Sequence, residues 1–185
     1  EFASDALDID LMAVVTTPTL RDFEIYGSFG NCNLGDPCNI AVKLNAYGWT
    51  NQAYTIVKFS IWNNKVNPIN ASIGLEIIPS IGGGYGFDTV TYNNTEGVIR
   101  FHYGQSFQNM GIKLISASLS SLYSIEWFLM YGVDADYWTW MNKGTLQPEY
   151  ISLTENGPVA ITSQAPVTIA PGESFDVYYA MALGA

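Results

Sequence analysis

The apolar and polar residues of this chain alternate in many short runs, which is the pattern of half-buried β-strands. The first run covers residues 7–15. Asp8 and Asp10 fall on one face of an extended segment, and the other face is apolar: Leu7, Ile9, Leu11, Ala13 and Val15. Because Pro18 has no N–H to donate to a strand ladder, we expect the strand to end before it. Its partner must then come from far along the same chain or from another chain.

Four later runs alternate clearly and are expected to form two pairs of adjacent strands, 40–46 with 54–62 and 88–92 with 97–103. Asn93 and Asn94 lie between the last two runs, and such residues are typical of hairpin turns. A further strand is expected at 72–78, because Ile73, Leu75 and Ile77 would share one face of it, and Pro79 would end it.

The second half of the chain is less regular. Residues 112–123 fit both a strand and a helix, and we favour a strand. Residues 125–133 are apolar on both faces except for Glu126, which is typical of a central strand. Near the end, Pro171-Gly172 predicts a type II turn, and the run from Phe175 to Leu183 alternates without a break. A β-hairpin over 167–183 is therefore expected.

About ten short strands with glycine and proline between them predict an all-β fold, an antiparallel β-sandwich of the jelly-roll kind. With 185 residues and no shift in composition, we expect one domain with a sizeable core. In this interpretation residues 1–18 are an N-terminal donor strand with its linker, and residues 19–185 are the sandwich.

The composition excludes several classes of partner and location. Charged residues make up 13% of the chain, aromatic residues make up 14%, and the net charge is −10. Such a charge repels nucleic-acid phosphates and anionic lipid surfaces, so neither is an expected partner. The most apolar window contains Lys113 and Glu126, and we predict no membrane span. The first residues lack a signal-peptide pattern, so we expect the mature form, with Glu1-Phe2 either native or a cloning remnant.

Three short motifs indicate an exported protein. Cys32 and Cys38 are separated by a loop rich in Gly, Asn and Pro, which can bring the two residues close enough for a disulfide. A metal site or two free thiols are the alternatives. The sequons at Asn70 and Asn93 are possible N-glycosylation sites. We therefore expect an extracellular protein at the cell surface.

The residues that could support catalysis are few. His102 is the only histidine, and a lone histidine on a strand is usually structural. Glu76 and Glu126 could form a carboxylate pair of the glycosidase kind, but each is expected to face solvent. Asp134 and Asp136 could offer oxygens to Ca²⁺, although the segment lacks the pattern of a calcium loop. We predict that the protein is not an enzyme and has no cofactor or metal site.

The aromatic residues suggest an alternative. Trp138 and Trp140 are two positions apart, so on an extended segment they would share a face and could stack against a sugar ring. Packing between sheets or subunits is the other use of these rings. A secreted carbohydrate-binding or adhesin module is therefore the alternative function, and a viral jelly-roll structural protein is a further one.

The main hypothesis follows from the strand at 7–15. Its exposed edge and apolar face favour association, and inserting it into the groove of a second copy would complete that copy's sheet. Such head-to-tail contacts do not close, so they build a fibre from copies of the same chain.

In layout the chain resembles the TasA/camelysin-type fibre proteins and the archaeal bundling pili and threads. The likeness is carried by the alternating strand 7–15 before a jelly-roll-like run of strands, and by the closing segment Ile169-Ala170-Pro171-Gly172-Glu173-Ser174-Phe175. It implies donor-strand exchange through Leu7, Ile9, Leu11, Ala13 and Val15. It also implies a cell-surface filament that serves adhesion or biofilm formation. The Cys32/Cys38 pair departs from the bacterial members.

Overall fold

A computed structural model describes residues 7–18, 21–32, 38–81, 84–104, 107–127 and 133–184. Within these ranges the chain forms antiparallel sheets and one short helix. In chain order the elements are β1 (Leu7–Val14), β2 (Phe23–Gly30), β3 (Ile40–Gly48), β4 (Tyr54–Asn63), β5 (Ile69–Ala71), β6 (Glu76–Ile77), β7 (Asp88–Asn93), β8 (Val98–Tyr103), β9 (Asn109–Leu114), β10 (Leu119–Ile125), α1 (Asp134–Met141), β11 (Glu149–Ile151), β12 (Val159–Gln164), β13 (Val167–Ile169) and β14 (Ser174–Gly184). The predicted all-β antiparallel sandwich is confirmed.

The chain folds into two compact units. The first comprises residues 1–71 and 167–180, and the second comprises residues 72–166 and 181–185. The predicted division into a strand at 1–18 and a domain at 19–185 stays a prediction.

The first unit is built on a sheet in the order β1-β2-β3-β4-β14, with β5 and β13 forming a separate two-stranded sheet. Period-2 alternation gives the larger sheet an apolar face and a polar face. On the apolar face Val57 and Ile61 of β4 are buried, as are Val177 and Tyr179 of β14. On the polar face the Lys58 ammonium lies 2.8 Å from a carboxylate oxygen of Asp176, which joins β4 to β14.

Asn63 links the two sheets of the first unit. It is fully buried, and its side-chain N–H groups donate to the carbonyl oxygens of Asn67 and Ile169, both at 2.9 Å. Its backbone N–H donates to the Glu173 carbonyl at 3.0 Å, and its carbonyl accepts from Gly172 N–H at 2.8 Å. The predicted turn at Pro171-Gly172 therefore exists, but the predicted hairpin pairing is wrong. Strand β13 pairs with β5, β14 pairs with β4, and Asn63 binds the turn between them.

The second unit has a sheet in the order β14-β9-β8-β7-β11, which the last residues of β14 join, and a three-stranded sheet β10-β12-β6. Its core includes Val90, Ile99 and Phe101 from β7 and β8, all nearly inaccessible to solvent. In a further buried cluster, Trp140 of helix α1 packs with Ile125, Val159 and Ile161.

The sequence predicted the strands with clear alternation and failed where the pattern was short or apolar throughout. The pairs β3–β4 and β7–β8 are confirmed, with the β7–β8 turn following Asn93. Of the strand predicted at 72–78, only the two residues of β6 form a strand. The range 112–123 contains parts of two strands, β9 and β10, and not the single strand that we favoured or a helix. The central strand at 125–133 is wrong for residues 126–127, because β10 ends at Ile125. Residues 128–132 lie outside the described ranges.

Candidate functional site

Strand β1 is the outermost strand of the first unit's sheet, and it pairs with β2 of its own chain. Ala13 faces Tyr26, Val14 faces Ile25, and the Val15 N–H donates to the Glu24 carbonyl at 2.8 Å. The predicted strand is thus confirmed. The expectation that its partner lies far along the chain or in another chain is wrong, because in this structure it pairs with β2, the next strand, which the sequence analysis did not predict. Its predicted role as a donor strand stays a prediction.

The strict alternation predicted for β1 is wrong. The register shifts between Asp8 and Asp10 and again between Asp10 and Ala13, and each shift adds one residue to β1 relative to β2. Such β-bulges reverse the side to which the following side chains point. Asp10 therefore lies on the same face as Ala13, where its carboxylate accepts a hydrogen bond from Ser28 Oγ at 2.7 Å. Val14 lies on the opposite face, beside Ile25.

The side chains of β1 are exposed on both faces. Every residue from Asp8 to Val14 is exposed, and the fractions reach 78% for Leu11 and 66% for both Met12 and Val14. Exposure continues on β2, where the apolar face presents Phe23 and Ile25 to solvent. In this structure β1 is held by main-chain pairing and buries almost nothing, so its apolar side chains are available for contact with another molecule.

The predicted disulfide is confirmed, since Cys32 and Cys38 are bonded. Gly30 makes room for it, because a Cβ atom at that position would lie 2.9 Å from Cys38 Sγ and 2.7 Å from the Ile40 carbonyl oxygen.

The two sequons lie at exposed positions in different surroundings. Asn70 is exposed in the middle of β5. Asn93 is exposed at the end of β7, but its side-chain N–H group donates to Glu96 at 3.0 Å and its Oδ1 accepts from the backbone N–H of Thr95 at 3.0 Å. A glycan on Asn93 would replace an N–H that already holds the turn.

The predicted stacking platform of Trp138 and Trp140 is wrong in its geometry. Both residues lie in helix α1 rather than in an extended segment. Residues two apart on a helix point in nearly opposite directions, so one ring is buried when the other is exposed. Trp140 is buried beside Val159 and Ile161, and Trp138 faces solvent.

Glu126 does not face solvent as expected. Its carboxylate is buried and accepts hydrogen bonds from three hydroxyl groups: Tyr150 at 3.1 Å, Ser152 at 3.1 Å and Thr154 at 2.6 Å. Burial, together with the Glu126 carboxylate, raises the pKa of Tyr150 to about 12. These contacts fix the segment 150–154, so the role of Glu126 is to organise a loop.

Asp88 is a second buried acid, which the sequence did not single out. It begins β7, and its side chain is fully buried. Neither carboxylate oxygen has a hydrogen-bond partner among the described residues. Burial therefore raises the pKa of Asp88 to about 6.

The remaining candidates are dispersed. Glu76 is half-buried and accepts a hydrogen bond from Tyr137 at 3.0 Å, and burial raises its pKa. His102 lies on β8, opposite Thr89. Asp134 and Asp136 occupy the first turn of α1. In the described part of the chain, no three His, Cys, Asp or Glu side chains cluster as a metal site would require. The same part contains no helix with the length and apolar character needed to cross a membrane.

Comparison with known proteins identifies a fold rather than a family. No family model and no curated protein matches the chain. The α-galactosidase from Lactobacillus brevis matches 97% of this chain with a TM-score of 0.54 at 10% identity, and the match covers 27% of the enzyme. A putative aldose 1-epimerase from Escherichia coli K12 gives a TM-score of 0.48 at 11% identity, covering 93% of this chain and 68% of the epimerase. At such identities the likeness concerns the fold alone, which is that of an antiparallel β-sandwich protein.

Proposed function

We propose that this protein is a structural, non-enzymatic subunit of an extracellular cell-surface filament, assembled head to tail when β1 of one copy pairs with β2 of the next. The filament would serve adhesion or biofilm formation. The observation that carries the proposal is that β1 is an apolar edge strand whose described side chains, from Asp8 to Val14, are all exposed. Long apolar edges of this kind favour association with other chains.

Exchange of β1 would cost little and gain contacts. The main-chain hydrogen bonds to β2 would be remade with the β2 of a neighbour, so their number need not change. Burying an apolar side chain of this size stabilises by about 1.5 to 3 kcal/mol. Leu11, Met12 and Val14 are two-thirds or more exposed, so covering them between subunits would contribute about 3 to 6 kcal/mol.

The two bulges support the same interpretation. A strand whose register shifts twice within eight residues makes fewer regular ladder bonds with β2 than β3 makes with its neighbours. Such an edge strand is easier to detach than a central one. Residues 15–18, which end in Pro18, follow β1 and would serve as the hinge.

Three further features favour a location outside the cell. The disulfide between Cys32 and Cys38 suits an oxidising compartment. Two exposed sequons are compatible with N-linked glycans. The layout shared with TasA/camelysin-type fibre proteins is compatible with the same role.

Cysteine trapping tests the exchange directly. Val15 and Glu24 are joined by a main-chain hydrogen bond, so Val14 and Ile25 beside them form a non-hydrogen-bonded pair, in which the side chains lie closer together. One chain carries Val14→Cys and a second carries Ile25→Cys, and the two are mixed under assembly conditions and oxidised. We expect an interchain dimer on a non-reducing gel, and filaments by negative-stain electron microscopy.

The control pair is Ala46→Cys with Val57→Cys, which face each other in the central β3–β4 pairing and should not cross-link between chains. Deleting residues 1–15 should abolish filaments while leaving a folded subunit. Dispersed monomers from the full chain, with no cross-link between Val14→Cys and Ile25→Cys chains, would refute the proposal.

A further inference from the structure

The second unit contains an open cavity of about 580 Å³. This volume lies within the range of about 300 to 1,000 Å³ that is usual for small-molecule sites. Two aromatic residues line it, Tyr85 and Trp127, together with Glu155, Asn156 and the apolar pair Ile78 and Pro79. It is distinct from β1, and nothing in the filament proposal uses it.

We propose that this cavity binds a neutral sugar. A pyranose ring has a flat face of C–H groups that stacks on an aromatic ring, and Tyr85 and Trp127 are 67% and 44% exposed. Sugar hydroxyls require acceptors and donors at the rim. The carboxylate of Glu155 supplies acceptors, and the amide of Asn156 supplies both. A purely apolar ligand would offer no hydrogen-bond donor to the Glu155 carboxylate.

Main-chain hydrogen bonds join the segments that line the cavity. The backbone N–H of Phe87 donates to the backbone carbonyl of Thr154 at 2.8 Å, and the backbone N–H of Trp127 donates to the backbone carbonyl of Asn156 at 2.9 Å. The main chain is therefore joined to the segment 154–156 at Trp127 itself and at Phe87, two residues after Tyr85. Such preorganisation reduces the entropy lost on binding.

Two more contacts hold that segment in place. The buried Glu126 carboxylate accepts from Thr154 Oγ1 at 2.6 Å. Gly86 lies so close to Glu155 that a Cβ atom there would be 2.3 Å from the Glu155 Cα. Only glycine permits this approach, which brings Tyr85 alongside the carboxylate-bearing segment.

The negative charge of the protein determines which class of sugar the cavity can bind. The chain carries a net charge of −10, and Glu155 lines the cavity. Uronic and sialic acids would be repelled, whereas neutral hexoses and N-acetylhexosamines would not. The ligand is therefore a neutral hexose-type unit. Because the cavity is open on one side, this unit can belong to a longer oligosaccharide that extends out of it.

The test uses an array of neutral and acidic oligosaccharides, followed by isothermal titration calorimetry with the neutral oligosaccharide that binds most strongly. We expect Trp127→Ala to weaken the affinity by about tenfold or more. Glu155→Gln should weaken it several-fold. Trp138→Ala is the matched control, since it removes an exposed tryptophan from α1 outside the cavity, and it should leave the affinity unchanged.

Circular dichroism melting identifies any variant that fails to fold, in which case Tyr85→Ala and Trp127→Phe replace Trp127→Ala. The proposal is overturned if the array shows no neutral ligand, if only acidic sugars bind, or if the affinity survives the loss of Trp127 and Tyr85. Because these measurements do not depend on filament formation, their failure would leave the proposal for β1 standing.

Discussion

The buried carboxylate of Asp88 should make the stability of the protein depend on pH in a specific way. The side chain is fully buried, and no described residue donates a hydrogen bond to it. An ionised carboxylate in such a place is unfavourable, so burial raises the pKa of Asp88 from 3.8 to about 6. The perturbation that tests this is Asp88→Asn, which keeps the size of the side chain and removes the charge.

The direction and the size of the change in unfolding free energy follow from the pKa of Asp88 in the unfolded and in the folded chain. Well below pH 3.8, the ordinary pKa of an aspartate, the carboxyl group is protonated in both the folded and the unfolded chain, so it carries no ionisation penalty. Between about pH 4 and pH 6 the unfolded chain loses its proton first, and the free energy of unfolding falls as the pH rises. Above pH 6 both states are ionised and the loss is complete. A difference of about two pKa units corresponds to a loss of about 3 kcal/mol.

The assay is urea unfolding of the natural chain and of Asp88→Asn at several pH values from 4 to 8. The difference in unfolding free energy between the two proteins should change by about 2 to 3 kcal/mol in favour of the asparagine variant across this range. Most of the change should occur between pH 4 and pH 6. Glu149→Gln is the control, since it removes an exposed carboxylate from the neighbouring strand β11 and should change stability little.

The difference between the two proteins, rather than the profile of either one, decides the outcome. Other acidic groups contribute to both profiles and cancel. A difference that stays constant from pH 4 to pH 8 would show that Asp88 ionises alike in the folded and unfolded states, and would refute the reasoning.

The remaining predictions concern packing, a buried polar link and modification. Phe101→Ala removes a fully buried ring from the second unit and should lower the free energy of unfolding by about 3 to 5 kcal/mol in urea titrations; a loss below 1 kcal/mol would contradict its place in the core. Asn63→Ala leaves the Ile169 carbonyl without its donor and should lower that free energy by about 2 to 4 kcal/mol, whereas an unchanged midpoint would count against the link between sheets. In a host that glycosylates, peptide mass spectrometry should find more glycan on Asn70 than on Asn93, whose amide already donates to Glu96; the reverse order would refute this.

The sequence predicted those strands whose side chains alternate and whose turns carry their own signal. Strands β3 and β4, and the hairpin of β7 and β8, could be read from local pattern alone. Strand β2 was missed although Phe23 and Ile25 alternate with Glu24 and Tyr26, because two glycines within the run resemble loop residues. Helix α1 was missed because its aromatic residues favour strands, although Asp134 and Asp136 in its first turn are typical of a helix start.

Long-range partners could not be predicted, because they depend on residues far apart in the chain. The turn at Pro171-Gly172 was clear, but only the structure shows that Asn63 binds it and separates β13 from β14. The same holds for the sites. Neither the orphan position of Asp88 nor the cavity beside Trp127 has a local signature, since each is assembled from segments that are distant in sequence.

Strand β14 has a consequence for the order in which the protein can fold. It pairs with β4 in the first unit, and its last residues lie beside β9 in the second, yet the ribosome makes it after every other described element. Until it emerges, the nascent chain presents open hydrogen-bonding edges on both β4 and β9. Neither sheet can be completed before β14 has left the ribosome, so both edges stay open to association with other chains until then.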